Sequence, residues 1–301
     1  MKEKHKFQAL RGSLFIPGSS SGVLLIHSLG GSPLELKFVA QALARQGHTV
    51  YCPVVPGLTF GTDVSGLSAW RDWYQSVEAS FEELRKVCDT VVIGGASAGA
   101  VLALRLAVFR SIELSGIVLF APTLAVNGWA IPRSIKLFHL VADKWTARLF
   151  TFRTPAPYGI KDERVRNFAL EAMKGEGALP SDVTARGGGT VYEFFKLVRN
   201  VTPMLSRINL QTLIFHPRRD DQSDIKNTMK LQRSLGGLVE VCVLDDSYHL
   251  VTLDRQRGYV ADRSVDFTSR VFAASAAKTA AAKAAKSADV SSKSLQQGAA
   301  E

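Results

Sequence analysis

The chain has 301 residues, of which 46% are hydrophobic and 21% charged, proportions typical of a globular protein with a sizeable core. The formal net charge is +10, but lysines and arginines are spread along the sequence without a dense basic block, so neither a nucleic acid nor an anionic membrane is predicted as a partner. The three cysteines are odd in number and far apart, which argues against a disulfide framework and against a cysteine metal site.

The sequence predicts no membrane-spanning segment. Residues 1–13, MKEKHKFQALRGS, are charged and lack the apolar stretch of a secretory signal, and no later apolar run is long enough to span a bilayer. We therefore expect a cytoplasmic protein.

Apolar runs alternate with helical patterns from the start of the chain. Residues 13–17 and 23–27 predict strands, and the second run, VLLIH, is continuous, as in a strand buried on both faces. A small-residue loop, SLGG, follows. Ser32, Pro33 and Glu35 then predict a helix start, as the N-cap, N1 and N3 residues of a capping box.

A strand predicted at 49–54 is followed by a loop and a long amphipathic helix. The apolar face of this helix predicts packing against the sheet. It consists of Trp70, Trp73, Tyr74, Val77, Phe81 and Leu84.

The next segment, TVVIGGASAGAVLALRLA at residues 90–107, predicts a strand, a sharp turn and a buried helix. Its turn, from Gly95 through Ser97 to Gly99, matches the G-x-S-x-G nucleophile elbow in the required strand–turn–helix context. A serine on so sharp a turn has strained dihedrals, and small neighbours let the strand and the helix pass closely. The alternative is a glycine-rich turn of a parallel sheet with a solvated serine.

A strand predicted at 116–120 is followed by a long interruption of the strand rhythm. Residues 123–202 contain helical patches broken by prolines and glycines, and they predict an inserted, mostly helical cap above the serine. Its apolar residues are candidates for the wall of a substrate pocket, with Trp129 the best single candidate for substrate contact. These candidates are Leu124, Val126, Trp129, Ile131, Leu137, Phe138, Leu140 and Val141.

The strand rhythm resumes at 211–216 and 239–244, with a helix at about 224–235 between them and a final helix after them. Residues 1–122 and 203–274 are thus predicted to form one α/β core with a mainly parallel sheet and helices on both faces. Residues 275–301, rich in alanine and lysine, predict a disordered or transiently helical tail.

Serine nucleophiles need a base, and the base needs an orienting acid. Because chemistry gathers at the carboxyl ends of parallel strands, His249, in the loop after the last strand, is the candidate base. The alternative is a loop histidine that is hydrogen-bonded locally. His216 ends an apolar strand and could be a packed core residue.

Several aspartates could supply the acid. Asp220, Asp221 and Asp224 follow one strand end, and one of them is expected to cap the next helix. Asp245 and Asp246, close to the histidine in sequence, are alternatives. The chain order Ser97, Asp220, His249 is the order expected of an α/β-hydrolase, and Asp221 is expected to face solvent or the following helix.

The developing oxyanion needs two backbone donors. One is expected from Ala98, the residue after the nucleophile. The other is expected from the loop 28–30, where small residues let the backbone approach a substrate.

Four motifs in order, VLLIHSLGGSPLE, GASAG, TLIFHPRRDD and DDSYHLVTLDRQR, resemble the bacterial carboxylesterases and monoacylglycerol lipases of the α/β-hydrolase superfamily. The resemblance spans roughly residues 22–272 and is weakest across the cap. It implies Ser97 as nucleophile, Asp220 as acid and His249 as base, with the amides of Leu29 and Ala98 as the oxyanion hole.

Two departures from the family pattern concern the substrate. The family usually has His-Gly where this chain has His27-Ser28, which places a hydroxyl beside the oxyanion site and makes Ser28 a candidate substrate contact. The Pro-Gly-His-Gly that often follows the next strand is replaced by Pro-Gly-Leu-Thr at residues 56–59.

The sequence therefore predicts hydrolysis of a small-molecule carboxylic ester through an acyl-serine intermediate, without a cofactor or metal. A thioesterase or acyltransferase would use the same residues. A non-catalytic hydrolase-like binding protein and a tether acting through the tail are the alternatives from other classes. The sequence does not indicate an oligomeric state.

Overall fold

The computed structural model describes residues 7–62, 68–132, 135, 138, 143, 145–173 and 185–297, with side chains of the last helix described through residue 281. The strands are β1 Leu14–Ile16, β2 Ser21–Ile26, β3 Thr49–Cys52, β4 Thr90–Ala96, β5 Leu114–Phe120, β6 Thr151–Arg153, β7 Ala185–Gly187, β8 Thr212–Pro217 and β9 Val239–Leu244. The helices are α1 Lys37–Arg45, α2 Trp70–Val87, α3 Ala98–Arg110, α4 Glu163–Met173, α5 Gly188–Val201, α6 Lys226–Ser234 and α7 Arg257–Gln297.

Seven strands form the main sheet, in the order β1-β3-β2-β4-β5-β8-β9. β1 pairs antiparallel with β3, and the remaining pairings are parallel. The carboxyl ends of β2, β4, β5, β8 and β9 therefore lie along one edge of the sheet, where the candidate site residues are expected.

Helices cover both faces of this sheet. Val23 and Leu25 of β2 pack in a cluster with α1 and α7, whereas Leu24 and Ile26 pack in a second cluster with α2 and α3. A strand buried on both faces has to be continuously apolar, which is the pattern of VLLIH. The predicted α/β fold with helices on both faces is confirmed.

The segment between β5 and β8 contains more than helices. β6 and β7 pair as a small antiparallel sheet, and α4 lies between them in the chain. α5 packs into the core cluster through Phe194, Leu197 and Val201, so the end of the segment predicted as a cap is joined to α2 and α3. The predicted wall residues Leu137, Leu140 and Val141 lie outside the described residues.

The structure continues α7 to Gln297, through residues that the sequence predicted to be disordered or transiently helical. Its buried face ends at Val271 and Phe272, and residues 276–281 are exposed. Alanine has the highest intrinsic helix propensity, which favours a helix there without tertiary contacts. Among the helices of the described part, none is long and apolar enough to cross a membrane.

Candidate active site

Ser97 lies in a strained turn between β4 and α3, with φ 52° and ψ −111°. A Cβ on Gly95 would lie 2.4 Å from the backbone of Gly99, and a Cβ on Gly99 would lie 2.3 Å from the carbonyl oxygens of Ile26 and His27. Both glycines are therefore required by the close approach of helix and strand. The Ser97 N–H donates to the Phe120 carbonyl at 2.9 Å, which fixes the turn.

The histidine predicted from sequence lies within hydrogen-bonding distance of both the predicted serine and the first of the aspartates. Ser97 Oγ is 2.9 Å from His249 Nε2, and His249 Nδ1 is 2.8 Å and 3.0 Å from the two carboxylate oxygens of Asp220. An ionised carboxylate only accepts, so Nδ1 carries the proton and Nε2 is free to accept from the serine hydroxyl. The arrangement can move a proton from Ser97 to His249.

Electrostatics favour this direction of transfer. Burial alone would lower the pKa of His249, but the carboxylates of Asp220 and Asp221 outweigh burial, and the pKa is raised. Burial alone would raise the pKa of Asp220, but His249 and the N–H of Ser223 hold it below the ordinary value. Asp220 therefore stays ionised beside a histidine that is able to hold a proton.

His216 is close to the same carboxylate, but its own hydrogen bonds identify it as structural. Its Nε2 donates to the Ser223 carbonyl at 2.7 Å, and its Nδ1 accepts from Thr228 at 2.8 Å. Burial lowers its pKa, so it is neutral. The His216 ring packs against Asp220, with Nε2 3.5 Å from Oδ2 of the carboxylate.

The other acid candidates have different partners. Asp224 accepts the Lys226 N–H at the start of α6, while Asp245 and Asp246 pair with surface arginines and a lysine. The expectation that Asp221 faces solvent or the following helix is wrong, because this residue is fully buried and its carboxylate faces Gly159 and His249. Its carboxylate accepts the Gly159 N–H at 2.8 Å and the His249 N–H at 3.2 Å. Asp221 thus connects the histidine loop to the segment that precedes α4.

The two expected oxyanion donors both border the cavity described below. Ala98 is the first residue of α3, so its N–H has no acceptor within the helix. Around Leu29, the N–H groups of Ser28, Gly30 and Gly31 all donate inside the protein, to Glu35, Leu58 and Ser28 respectively. Leu29 is left as the candidate donor of this loop.

The two departures from the family pattern each have a structural partner. Thr59 Oγ1 is 2.7 Å from His27 Nε2, so the threonine of Pro-Gly-Leu-Thr anchors the histidine of His27-Ser28. The Ser28 hydroxyl donates to Glu35 Oε2 at 2.8 Å, although Ser28 also borders the cavity. The predicted capping box is wrong, because Ser32 makes no side-chain cap and the Glu35 carboxylate turns to Ser28 instead.

Thr123 is a site residue that sequence reasoning missed. Its hydroxyl lies 3.1 Å from Ser97 Oγ and donates to the Ala121 carbonyl at 3.3 Å. A single threonine after an Ala-Pro strand end carries no recognisable motif. Only the pairing of β4 with β5 brings it beside the elbow.

A cavity of about 580 Å³ opens above Ser97 and His249. Its lining is mostly apolar and includes Phe152, Val165 and Ala169 from the segment between β5 and β8. Of the wall residues predicted from sequence, Val126 and Ile131 border this cavity.

The prediction that Trp129 contacts substrate is not supported by its position. Trp129 lies outside the cavity lining and is 56% exposed. Its indole N–H donates to the Arg219 carbonyl at 3.2 Å, and its ring packs edge-on against Tyr248. Sequence position close after a strand end could not distinguish the outer side of the site from its inner wall.

Within the described part of the chain, no group of three or more histidine, cysteine, aspartate or glutamate side chains is arranged to hold a metal ion.

Comparisons with known proteins agree with this architecture. A thermostable monoacylglycerol lipase from Bacillus sp. (strain H-257) is 26% identical over 257 residues, covering 82% of this chain and 89% of the lipase. A Paleococcus ferrophilus monoacylglycerol lipase has a similar structure, with a TM-score of 0.70, 17% identity and coverage of 86% of this chain and 98% of that one. A structure of the metagenome-derived lipolytic enzymes LipS and LipT matches with a TM-score of 0.65 and 24% identity, over 87% of this chain and all of that chain. The family model described as the alpha/beta hydrolase family matches residues 23–263, and the chain belongs to this family.

Proposed function

We propose that the protein is a carboxylic ester hydrolase that forms an acyl-serine intermediate on Ser97. The observation that carries this proposal is the hydrogen-bonded series of Ser97, His249 and Asp220 beneath a largely apolar cavity. The similarity to a lipase from Bacillus sp. supports the same reaction class.

In the first half of the reaction, His249 Nε2 removes the proton of the Ser97 hydroxyl as Oγ attacks the ester carbonyl carbon. The carbonyl oxygen becomes an oxyanion that the N–H groups of Leu29 and Ala98 stabilise. The tetrahedral intermediate then collapses, the bond to the alcohol oxygen breaks, and His249 returns the proton to that oxygen. The products of this half are an alcohol and acyl-Ser97.

In the second half, His249 removes a proton from water, whose oxygen attacks the acyl carbonyl carbon. Collapse of the second intermediate releases the carboxylic acid and gives the proton back to Ser97. Asp220 keeps the imidazole in the tautomer that both halves require. A thioester substrate, or an acceptor alcohol in place of water, would use the same groups, and these remain the alternative reactions.

The apolar cavity suggests an ester with an aliphatic acyl chain, and a monoacylglycerol is the substrate class suggested by the named relatives. We propose that residues 123–202, apart from the face of α5 that packs in the core, act as the cap of this cavity, since Phe152 and Val165 from this segment lie in its lining. The cytoplasmic location predicted from residues 1–13 stays a prediction.

Labelling with a fluorophosphonate, together with hydrolysis of p-nitrophenyl esters, tests the function. Ser97→Ala should lose labelling and lower kcat by at least about 10⁴-fold, as is typical of a lost triad nucleophile. Ser115→Ala is the matched control, because Ser115 lies near the start of β5 and the site lies beyond the other end of this strand. This variant should keep both the labelling and the ester hydrolysis. Labelling of Ser97→Ala at another serine would overturn the assignment.

A further inference from the structure

Glu35 is a buried carboxylate that the proposed reaction does not use. It is 6% exposed and borders the cavity beneath the loop formed by residues 28–31. One of its oxygens accepts the Ser28 N–H, and the other accepts the Ser28 hydroxyl at 2.8 Å. Burying a carboxylate is unfavourable unless its oxygens are hydrogen-bonded, and here both are bonded to one residue of the loop.

The next peptide of the loop is held at its carbonyl oxygen. The Ser28 carbonyl accepts from the Gly31 N–H at 3.0 Å and from His27 Nδ1 at 2.8 Å. In a planar trans peptide the C=O and the following N–H point in opposite directions. Fixing the Ser28 carbonyl therefore fixes the direction of the Leu29 N–H, which points away from His27.

Glu35 also restricts the far end of the loop. A Cβ on Gly31 would lie 2.2 Å from Glu35 Oε2 and 2.5 Å from Ser28 Oγ, so glycine is needed for this packing. On the other side, the Gly30 carbonyl accepts from the Arg186 guanidinium at 2.9 Å. The loop is thus contacted from the core by Glu35 and from β7 by Arg186.

We propose that Glu35 is a positioning residue for the oxyanion hole: by holding Ser28 through its N–H and its hydroxyl, it sets the direction of the Leu29 N–H together with the contacts of Gly31 and His27 at the Ser28 carbonyl. The inference rests on the proposed ester hydrolysis. Oxyanion donors act on the transition state and must lie about 2.7–3.1 Å from the oxyanion, so a loosened Leu29 amide lowers kcat with little change in KM.

Three variants separate positioning from general stability. Glu35→Leu removes both acceptors, Glu35→Gln keeps one acceptor for the Ser28 N–H, and Ser28→Ala removes only the hydroxyl contact. All are assayed at about pH 8.5, where the wild-type Glu35 carboxylate is ionised because its raised pKa is about 7. The readouts are kcat and KM for a p-nitrophenyl ester, the inhibition constant of an alkyl trifluoromethyl ketone, and the melting temperature.

We expect Glu35→Leu to lower kcat about 100-fold and to weaken ketone binding by about the same factor, because removing one oxyanion donor has effects of this order. KM should change by less than about threefold. Glu35→Gln and Ser28→Ala should each lower kcat by about three- to tenfold, with ketone affinity falling in parallel, because each weakens one hydrogen bond. A loss of melting temperature alone would not produce this parallel change.

Unchanged kcat and ketone affinity in folded Glu35→Leu would overturn the inference. Where Glu35→Leu does not fold, unchanged values in Glu35→Gln would overturn it equally. A wild-type protein that hydrolyses no ester overturns the proposed function and this inference together, whereas an active wild type with fully active variants overturns this inference alone.

Discussion

At the scale of single residues, Asp220 and Asp221 show how two adjacent carboxylates hold different parts of one site. Asp220 contacts the His249 ring, whereas Asp221 contacts the His249 backbone and Gly159. We expect Asp220→Asn to lower kcat by about 10³–10⁴-fold, because the imidazole loses the partner that fixes its tautomer.

Asp221→Asn should act mainly on stability. The single amide oxygen can accept one of the two N–H groups, and leaving the other unpaired typically costs about 1–3 kcal/mol. Thermal unfolding and steady-state kinetics of both variants measure the contrast. If Asp221→Asn lowered kcat as strongly as Asp220→Asn, the two carboxylates would have to share the catalytic role.

The predicted site residues that the fold brings together are those defined by a local pattern or by a strand end. Ser97 lies in a five-residue motif, and His249 follows the last strand of the sheet. Glu35 and Asp221 were misjudged because their partners are distant in the sequence or compete with a local interpretation. Glu35 fits a capping box in sequence, and only the folded loop shows that its carboxylate instead accepts hydrogen bonds from Ser28, seven residues earlier in the chain.

At the scale of elements, the cavity wall formed by α4 can be tested against the surface that carries Trp129. Ala169 of α4 borders the cavity, so Ala169→Phe should fill part of it and shift the preferred acyl chain to a shorter length. Each methylene excluded from the cavity is expected to lower kcat/KM about fourfold, since burying one is worth about 0.8 kcal/mol.

Trp129→Ala is the matched control, because its indole lies outside the lining. A series of p-nitrophenyl esters of increasing chain length, measured for both variants, compares the two positions. An altered length profile in Trp129→Ala, with an unchanged profile in Ala169→Phe, would place the acyl chain on the other side of the site.

The last helix gives a second prediction at this scale. The buried face of α7 ends at Phe272, and residues 276–281 are exposed. Removing the residues after Ala277 should therefore leave kcat unchanged and shift the melting temperature by less than about 2 °C, while the far-ultraviolet circular dichroism loses helical signal. A large drop in melting temperature would show that the end of α7 packs against the body.

At the scale of the whole molecule, the order and type of the main elements were predictable because the central strands β2 and β5 are apolar runs, α2 is amphipathic and α3 is apolar almost throughout. What sequence could not predict was pairing between distant segments. β6 and β7 are only three residues long each and are separated by α4, so neither carries a periodic pattern of its own. The residues of α5 were grouped with the cap because they lie within the interruption of the strand rhythm, yet the apolar face of α5 belongs to the core.

Two buried groups near the oxyanion loop make opposite contributions to the pH dependence of folding. Burial lowers the pKa of His27 from 6.5 to about 4. The folded protein therefore has its full stability from this group above pH 6.5, where the imidazole is neutral, and loses it as the pH falls through about 4. Burial raises the pKa of Glu35 from 4.5 to about 7. The folded protein therefore has its full stability from this group below pH 4.5, where the carboxyl is protonated, and loses it as the pH rises through about 7. Each shift corresponds to about 3 kcal/mol, and between pH 4.5 and 6.5 the two trends oppose each other.

Glu35→Gln removes the pH dependence of stability that Glu35 contributes, so the pH dependence that His27 contributes should become measurable. Lowering the pH from 7 to 4.5 should reduce the unfolding free energy of the variant by about 3 kcal/mol relative to wild type, because only the wild type gains the protonation of Glu35. Denaturant titrations of both proteins at several pH values measure this difference, in which the contributions of other titrating groups largely cancel. The variant should also lose stability more steeply below pH 6.5, since the charging of His27 is no longer offset. A difference in unfolding free energy that stayed constant from pH 4.5 to 7 would mean that Glu35 titrates at its ordinary pKa, and that water reaches the carboxylate beneath the oxyanion loop.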